Sequence, residues 1–161
     1  MFAIQSDIAQ QIANALEATL APEVAQRIEQ QPTESLEAYD LFLRGTYLLD
    51  KGTKEGYEGA IEMYEQAIGI DPEFARAYSG LADAYVGLEL RDFIPPEEGF
   101  PKARAAAERA LSLDPDLAEA HTSLADVLKS EVRWEDAERE YRRALELTPA
   151  TRRLMPATRS Y

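Results

Sequence analysis

Apolar and small residues recur every three or four positions along most of the chain, the spacing that gathers them on one face of a helix. The pattern is clearest from Ala118 to Pro149. Ala120, Leu124, Ala125 and Leu128 form one set, and a polar turn through Glu131 and Arg133 interrupts it. Ala137, Tyr141, Ala144, Leu145 and Leu147 form a second set, closed by Pro149. Two helices joined by so short a turn fold back as a hairpin. The arrangement occurs twice more upstream. Between about Ala38 and Pro72, Ala38, Leu41, Phe42, Gly45, Leu48 and Leu49 precede Ala60, Tyr64, Ala67, Ile68 and Ile70. Between about Ala75 and Pro115, Ala77, Tyr78, Leu81, Ala82 and Tyr85 precede Ala103, Ala107, Ala110, Leu111 and Leu113. Ahead of these, Ile4, Ile8, Ile12 and Leu16 make an amphipathic stripe, and Pro22 opens a shorter helix with Val24 and Ile28 inward. The pattern predicts helices over 4–20, 22–30, 35–50, 54–70, 74–87, 101–113, 118–130 and 134–147, with no strand. Thr53 is placed to cap the helix that follows it.

The closing prolines Pro72, Pro115 and Pro149 are spaced 43 and then 34 residues apart. The middle hairpin therefore carries nine extra residues, expected between its helices at Glu89 to Pro101. Pro95 and Pro96 forbid a continued helix there. Phe93, Ile94 and Phe100 are apolar for a solvated loop. They are expected to plug the side of the stack, with a ligand-contacting loop as the alternative.

The small residue on each first helix, followed by Ala, an aromatic, Ala and a terminal Pro on the second, resembles the tetratricopeptide repeat (TPR). The resemblance implies an all-α fold, a right-handed superhelix (α-solenoid) of stacked antiparallel helix pairs. Three domains of the sequence follow from it. Residues 1–34 are N-terminal helices that cap the stack or connect to an upstream domain. Residues 35–149 hold three TPR hairpins, at about 38–72, 75–115 and 118–149. Residues 150–161 are a non-repeat tail, either a basic appendage or a frame artefact. FAIQSDIAQQIANALEATL, EAYDLFLRG and FIPPEEGFPKARAAAERALSLDP are together similar to the TPR region of bacterial multidomain regulators, namely nucleotide cyclases, winged-helix regulators and protein kinases. That similarity implies a non-catalytic protein–protein interaction module within a bacterial regulatory protein. The alternatives are an accessory regulatory domain of an enzyme such as a cyclase or kinase, or a self-assembly element.

Composition and charge narrow the chemistry. The chain has 161 residues, 45% hydrophobic, with 30 Asp and Glu against 17 Lys and Arg, a formal charge of −13. So acidic a chain lacks the basic stripe that phosphates require, which argues against nucleic acid. No run approaches the length of a membrane span, so a cytoplasmic location is expected. There is no cysteine and one histidine, His121, which occupies the large-residue position of the third hairpin. A packed, hydrogen-bonded ring is its expected role. Ser123 lies two residues away on another helix face, so the two make no nucleophile–base pair. The expectation is no catalytic residue, no metal and no cofactor.

Sites therefore rest on the resemblance. TPR arrays bind along a concave groove lined by their first helices, which by position implies Tyr39, Phe42, Thr46 and Leu49, then Arg76, Ser79, Asp83 and Val86, then Glu119, Thr122, Asp126 and Lys129. Some chaperone-binding TPRs clamp a carboxylate there with basic residues. Phe42, Thr46, Asp83 and Glu119 stand in those places here, which suits a protein or peptide partner with basic and apolar residues instead. The last helix exposes Tyr141, Leu145 and Leu147 with no further repeat over them, which predicts a weak homodimer through the C-terminal repeat.

Overall fold

A computed structural model describes residues 33–148 of the chain. Among them are six helices and no strand: α1 (Leu36–Leu49), α2 (Lys54–Ile70), α3 (Ala75–Leu90), α4 (Pro96–Leu113), α5 (Ala118–Ser130) and α6 (Trp134–Leu147). The helices expected over 4–20 and 22–30, and the tail 150–161, lie outside the described residues. α1 and α2, α3 and α4, and α5 and α6 pair as hairpins. α2 then packs on α3, and α4 on α5. The odd-numbered helices also touch one another, α1 on α3 and α3 on α5, so they form one continuous inner row.

Local chemistry explains the boundaries. Ser35 caps α1 by accepting from the Ala38 amide at 3.2 Å, and Thr53 caps α2 by accepting from Gly56 at 3.1 Å, as its position predicts. Between hairpins, Asp71 accepts from the amide of Glu73 and Asp114 from that of Asp116, each at 3.0 Å. These turns ahead of each proline set the angle at which the next hairpin starts. Two residues after each proline, Phe74 and Leu117 are buried against the preceding hairpin.

The core is alanine-rich where paired helices come closest. Ala60, Ala103 and Ala137 are all buried, as the repeat register requires. Tyr64 from α2 wedges between two first helices. A Cβ at Gly45 would lie 2.7 Å from its ring, and one at Gly80 only 2.5 Å, so both positions must be glycine for the ring to fit.

The middle hairpin departs from expectation. Of the segment 89–101, only residues 91–95 lie outside the helices. α3 runs to Leu90 rather than 87, and α4 starts at Pro96 rather than 101. Relative to the third hairpin, three of the nine extra residues lengthen the first helix, four lengthen the second and two enlarge the turn. Pro96 starts α4 because its fixed φ suits the first helical position. Pro101 sits inside α4 and gives up one hydrogen bond to the carbonyl one turn back. Phe100 packs with Tyr85 against Val86, Ala103 and Val127, so it belongs to the hairpin core, whereas Phe93 is over a third exposed.

Candidate functional site

α1, α3 and α5 place their inner faces along one surface, and a cleft of about 200 Å³ opens there. It is lined by Phe42, Thr46 and Leu49 of α1, Tyr64 of α2, Arg76, Ser79, Gly80 and Asp83 of α3, and Glu119 of α5. Seven of the twelve expected groove residues thus converge. Tyr39 lies beside them, its ring stacked on Phe42 at 6.2 Å, and Thr122 and Lys129 are exposed on α5. Val86 is not a groove residue: it is buried between α4 and α5, packed on Ala103 and Val127. α4 and α5 close over that stretch of α3 from both sides. Asp126 is engaged as well, accepting a short hydrogen bond from the Tyr141 hydroxyl and so tying α6 to α5.

The apolar end of the cleft is built from packed aromatic rings. Phe42 packs tilted against Tyr64 and Phe74, with ring centroids 5.9 and 5.2 Å away. The Thr46 hydroxyl donates to the Phe42 carbonyl at 3.0 Å and so accepts from the Tyr64 hydroxyl at 3.3 Å. Burial pushes the Tyr64 phenol up to about 12, reinforced by the nearby negative charges of Asp83 and Asp50.

At the polar end, Arg76 pairs with Glu119 at 2.9 Å and lies over the Phe42 ring. That cation is thereby neutralised. Asp83 has no such partner among the described residues: its Oδ1 accepts from the Ser123 hydroxyl at 2.5 Å, and no cation reaches it. Burial pushes its carboxyl from 3.8 up to about 6 despite the Ser123 bond, and the charges of Asp126 and Glu119 add to the effect. Beside it, Ser79 is 2% exposed and its Oγ has no hydrogen-bond partner among the described residues.

Three residues of the site were not expected from sequence. Tyr64 reads as hairpin core, Gly80 carries no chemical signal, and Ser123 meets Asp83 only because α5 packs on α3. His121 does read correctly: its Nε2 lies 3.0 Å from the Pro115 carbonyl and its Nδ1 2.7 Å from Glu140. Among the described residues, no group of three or more acidic or histidine side chains is placed to hold a metal. No described helix is long and apolar enough to cross a membrane. A second cleft, of about 360 Å³, runs along α6, where Arg142 pairs with Glu138 and Arg143 with Glu146.

Comparison with known proteins agrees with this architecture. Residues 54–88 match the TPR repeat family, and residues 97–151 match a second tetratricopeptide repeat family. No curated protein matches the chain. Among solved structures, the chain is similar to the first TPR of Spaghetti (RPAP3) bound to the HSP90 peptide SRMEEVD, with 22% identity over 77% of this chain and 94% of that one, at a TM-score of 0.58. It is similar to the Sgt2 TPR domain of Aspergillus fumigatus, with 23% identity over 76% of this chain and 77% of that one, at a TM-score of 0.59. The TPR2AB-domain:pHSP90 complex of yeast Sti1 gives 22% identity over 91% of this chain and 50% of that one, also at a TM-score of 0.59.

Proposed function

We propose, from the premise that this chain is an all-α solenoid of tetratricopeptide repeats, that it is a non-catalytic protein–protein interaction module whose inner groove receives a segment of a partner protein. The partner segment carries basic and apolar residues, and the module serves a bacterial regulatory protein. The observation that carries this reading is the cleft, apolar at Phe42 and Leu49 and negative at Asp83, with its one arginine already paired. Burying an apolar side chain against Phe42 supplies affinity, and the uncompensated acid selects for positive charge. The RPAP3 domain is bound to an acidic peptide. Asp83, Glu119 and Asp126 would repel such a sequence here.

The test combines a peptide array with photo-crosslinking. Peptides rich in Lys and apolar residues are expected to bind and to weaken with added salt, while acidic peptides do not bind. A crosslinker at Tyr39 or Thr122, both exposed on the inner row, is expected to capture the bound peptide, and one at Gln66 on α2 is not. Capture at Gln66 alone, or preference for acidic peptides, would overturn the reading.

A further inference from the structure

We infer that the cleft between α1 and α3 is a socket for one lysine side chain of the partner, with the ammonium seated between Asp83 and Ser79 and the methylenes lying along Phe42 and Leu49. This rests on the groove reading and adds the chemistry of its anchor.

Two independent features point to a donor-rich cation. The first is Ser79. A hydroxyl buried to this degree without a partner costs free energy in the empty protein, and it lines the same cleft as Asp83. The second is the carboxylate. Ser123 occupies Oδ1, which leaves Oδ2 without a donor among the described residues. The groups facing Asp83 are the Tyr64 hydroxyl from α2, Arg76 on its own helix, and Glu119 and Asp126 from α5. Arg76 is held by Glu119, so no positive charge in the site answers Asp83.

The same geometry selects between the two basic side chains. A guanidinium binds a carboxylate best through two parallel bonds, which need both oxygens. Asp83 offers one. An ammonium is compact, with three donors that diverge, and it can serve Oδ2 and Ser79 Oγ together. Burial that holds the empty carboxyl at about 6 also makes the socket pH-sensitive. Below that value Asp83 is protonated and the ammonium loses its counter-charge. Above it, the cation and the carboxylate relieve each other's burial.

The experiment is a chemical-shift titration of the whole chain with Nα-acetyl-lysine methylamide, the arginine analogue and the uncharged norleucine analogue, at pH 7.5 and pH 5. The lysine compound is expected to shift the amides of Ser79, Gly80 and Asp83, and to bind at least about fivefold more tightly than arginine and tenfold more tightly than norleucine. Binding falls about tenfold at pH 5 and in Asp83→Asn, which keeps an acceptor for Ser123, and falls severalfold in Ser79→Ala. Arginine or norleucine binding as tightly as lysine, or lysine binding unaffected by Asp83→Asn, overturns the socket. The peptide array separates the two readings. Peptides crosslinked in the groove without preference for lysine leave the groove standing and remove the socket. Lysine methylamide seated at Asp83 while no peptide reaches the groove does the reverse.

Discussion

Asp83 and Ser79 are poor choices for stability, and this is what singles them out at the scale of single residues. Asp83 has a folded-state value of about 6 against an ordinary 3.8, so the folded chain holds the proton more tightly than the unfolded one. The sign follows from linkage. Stability from this group is greatest below about pH 4, where both states are protonated. It falls as pH rises through 6, because folding must then bury a charge. Asp83→Asn removes that cost and keeps the Ser123 bond. It is expected to raise stability by about 1–2 kcal/mol at pH 7.5, with the gain shrinking toward pH 5. Urea unfolding of both proteins at the two pH values checks it. A gain independent of pH would show that the carboxylate is not strained by burial. Asp83 was legible as a groove residue because it repeats the position of Thr46 and Asp126. Its partner was not. Ser123 lies 40 residues away in sequence, and the contact exists only once α5 stacks on α3. Ser79 likewise reads as an ordinary polar position until the inner row closes over it.

The hairpin is the unit at the next scale, and its turns repeat a feature that the side-chain pattern hides. Each turn contains one residue in the left-handed region: Gly52 at φ 62°, Asp92 at 57° and Val132 at 62°. Glycine adopts this freely and aspartate tolerates it, but a β-branched side chain there collides with its own backbone. Val132 is 67% exposed, so it recovers little by packing. Val132→Gly is expected to stabilise the third hairpin by about 1 kcal/mol, net of the extra freedom that glycine has when unfolded. A denaturant midpoint that falls instead would mean that the turn does not hold Val132 in this conformation. Trp134 at the start of α6 is 60% exposed, whereas Ala137 is 3% exposed. The hairpins themselves were legible because small and large residues alternate at helical spacing on both partners. The middle hairpin was misjudged for a physical reason. Proline disfavours the helix before it, yet it is a good first residue of the helix after it, and Pro96 acts in the second sense. Reading Pro101 as the start assigned five helical residues, 96–100, to the turn.

At the scale of the whole molecule, no described helix covers the outer face of the last hairpin as α3 covers α2. Trp134, Tyr141 and Leu145 on α6 hold the positions that Tyr57, Tyr64 and Ile68 hold on α2. There α3 covers them, leaving Tyr57 7% and Tyr64 1% exposed. On α6, Leu145 is 61% exposed, Leu147 is half-buried, and Tyr141 is half-buried with its hydroxyl held by Asp126. Burial and the accepting carboxylate push the Tyr141 phenol up to about 12, so it stays a neutral donor across the working range. Between these apolar residues run Glu138 and Arg142, one of each sign. Such a face complements itself. Two copies meeting about a two-fold axis would set Arg142 of each against Glu138 of the other, with Leu145 at the centre. We propose a weak dimer of this kind, because covering a few side chains yields little more than association costs. Sedimentation over a hundredfold concentration range is expected to show a rising mass, and Leu145→Glu to abolish the rise. The run is repeated with residues 150–161 removed. A mass that stays constant in both lengths of chain, or a rise that Leu145→Glu leaves intact, would place any self-association elsewhere and reject this face as its site.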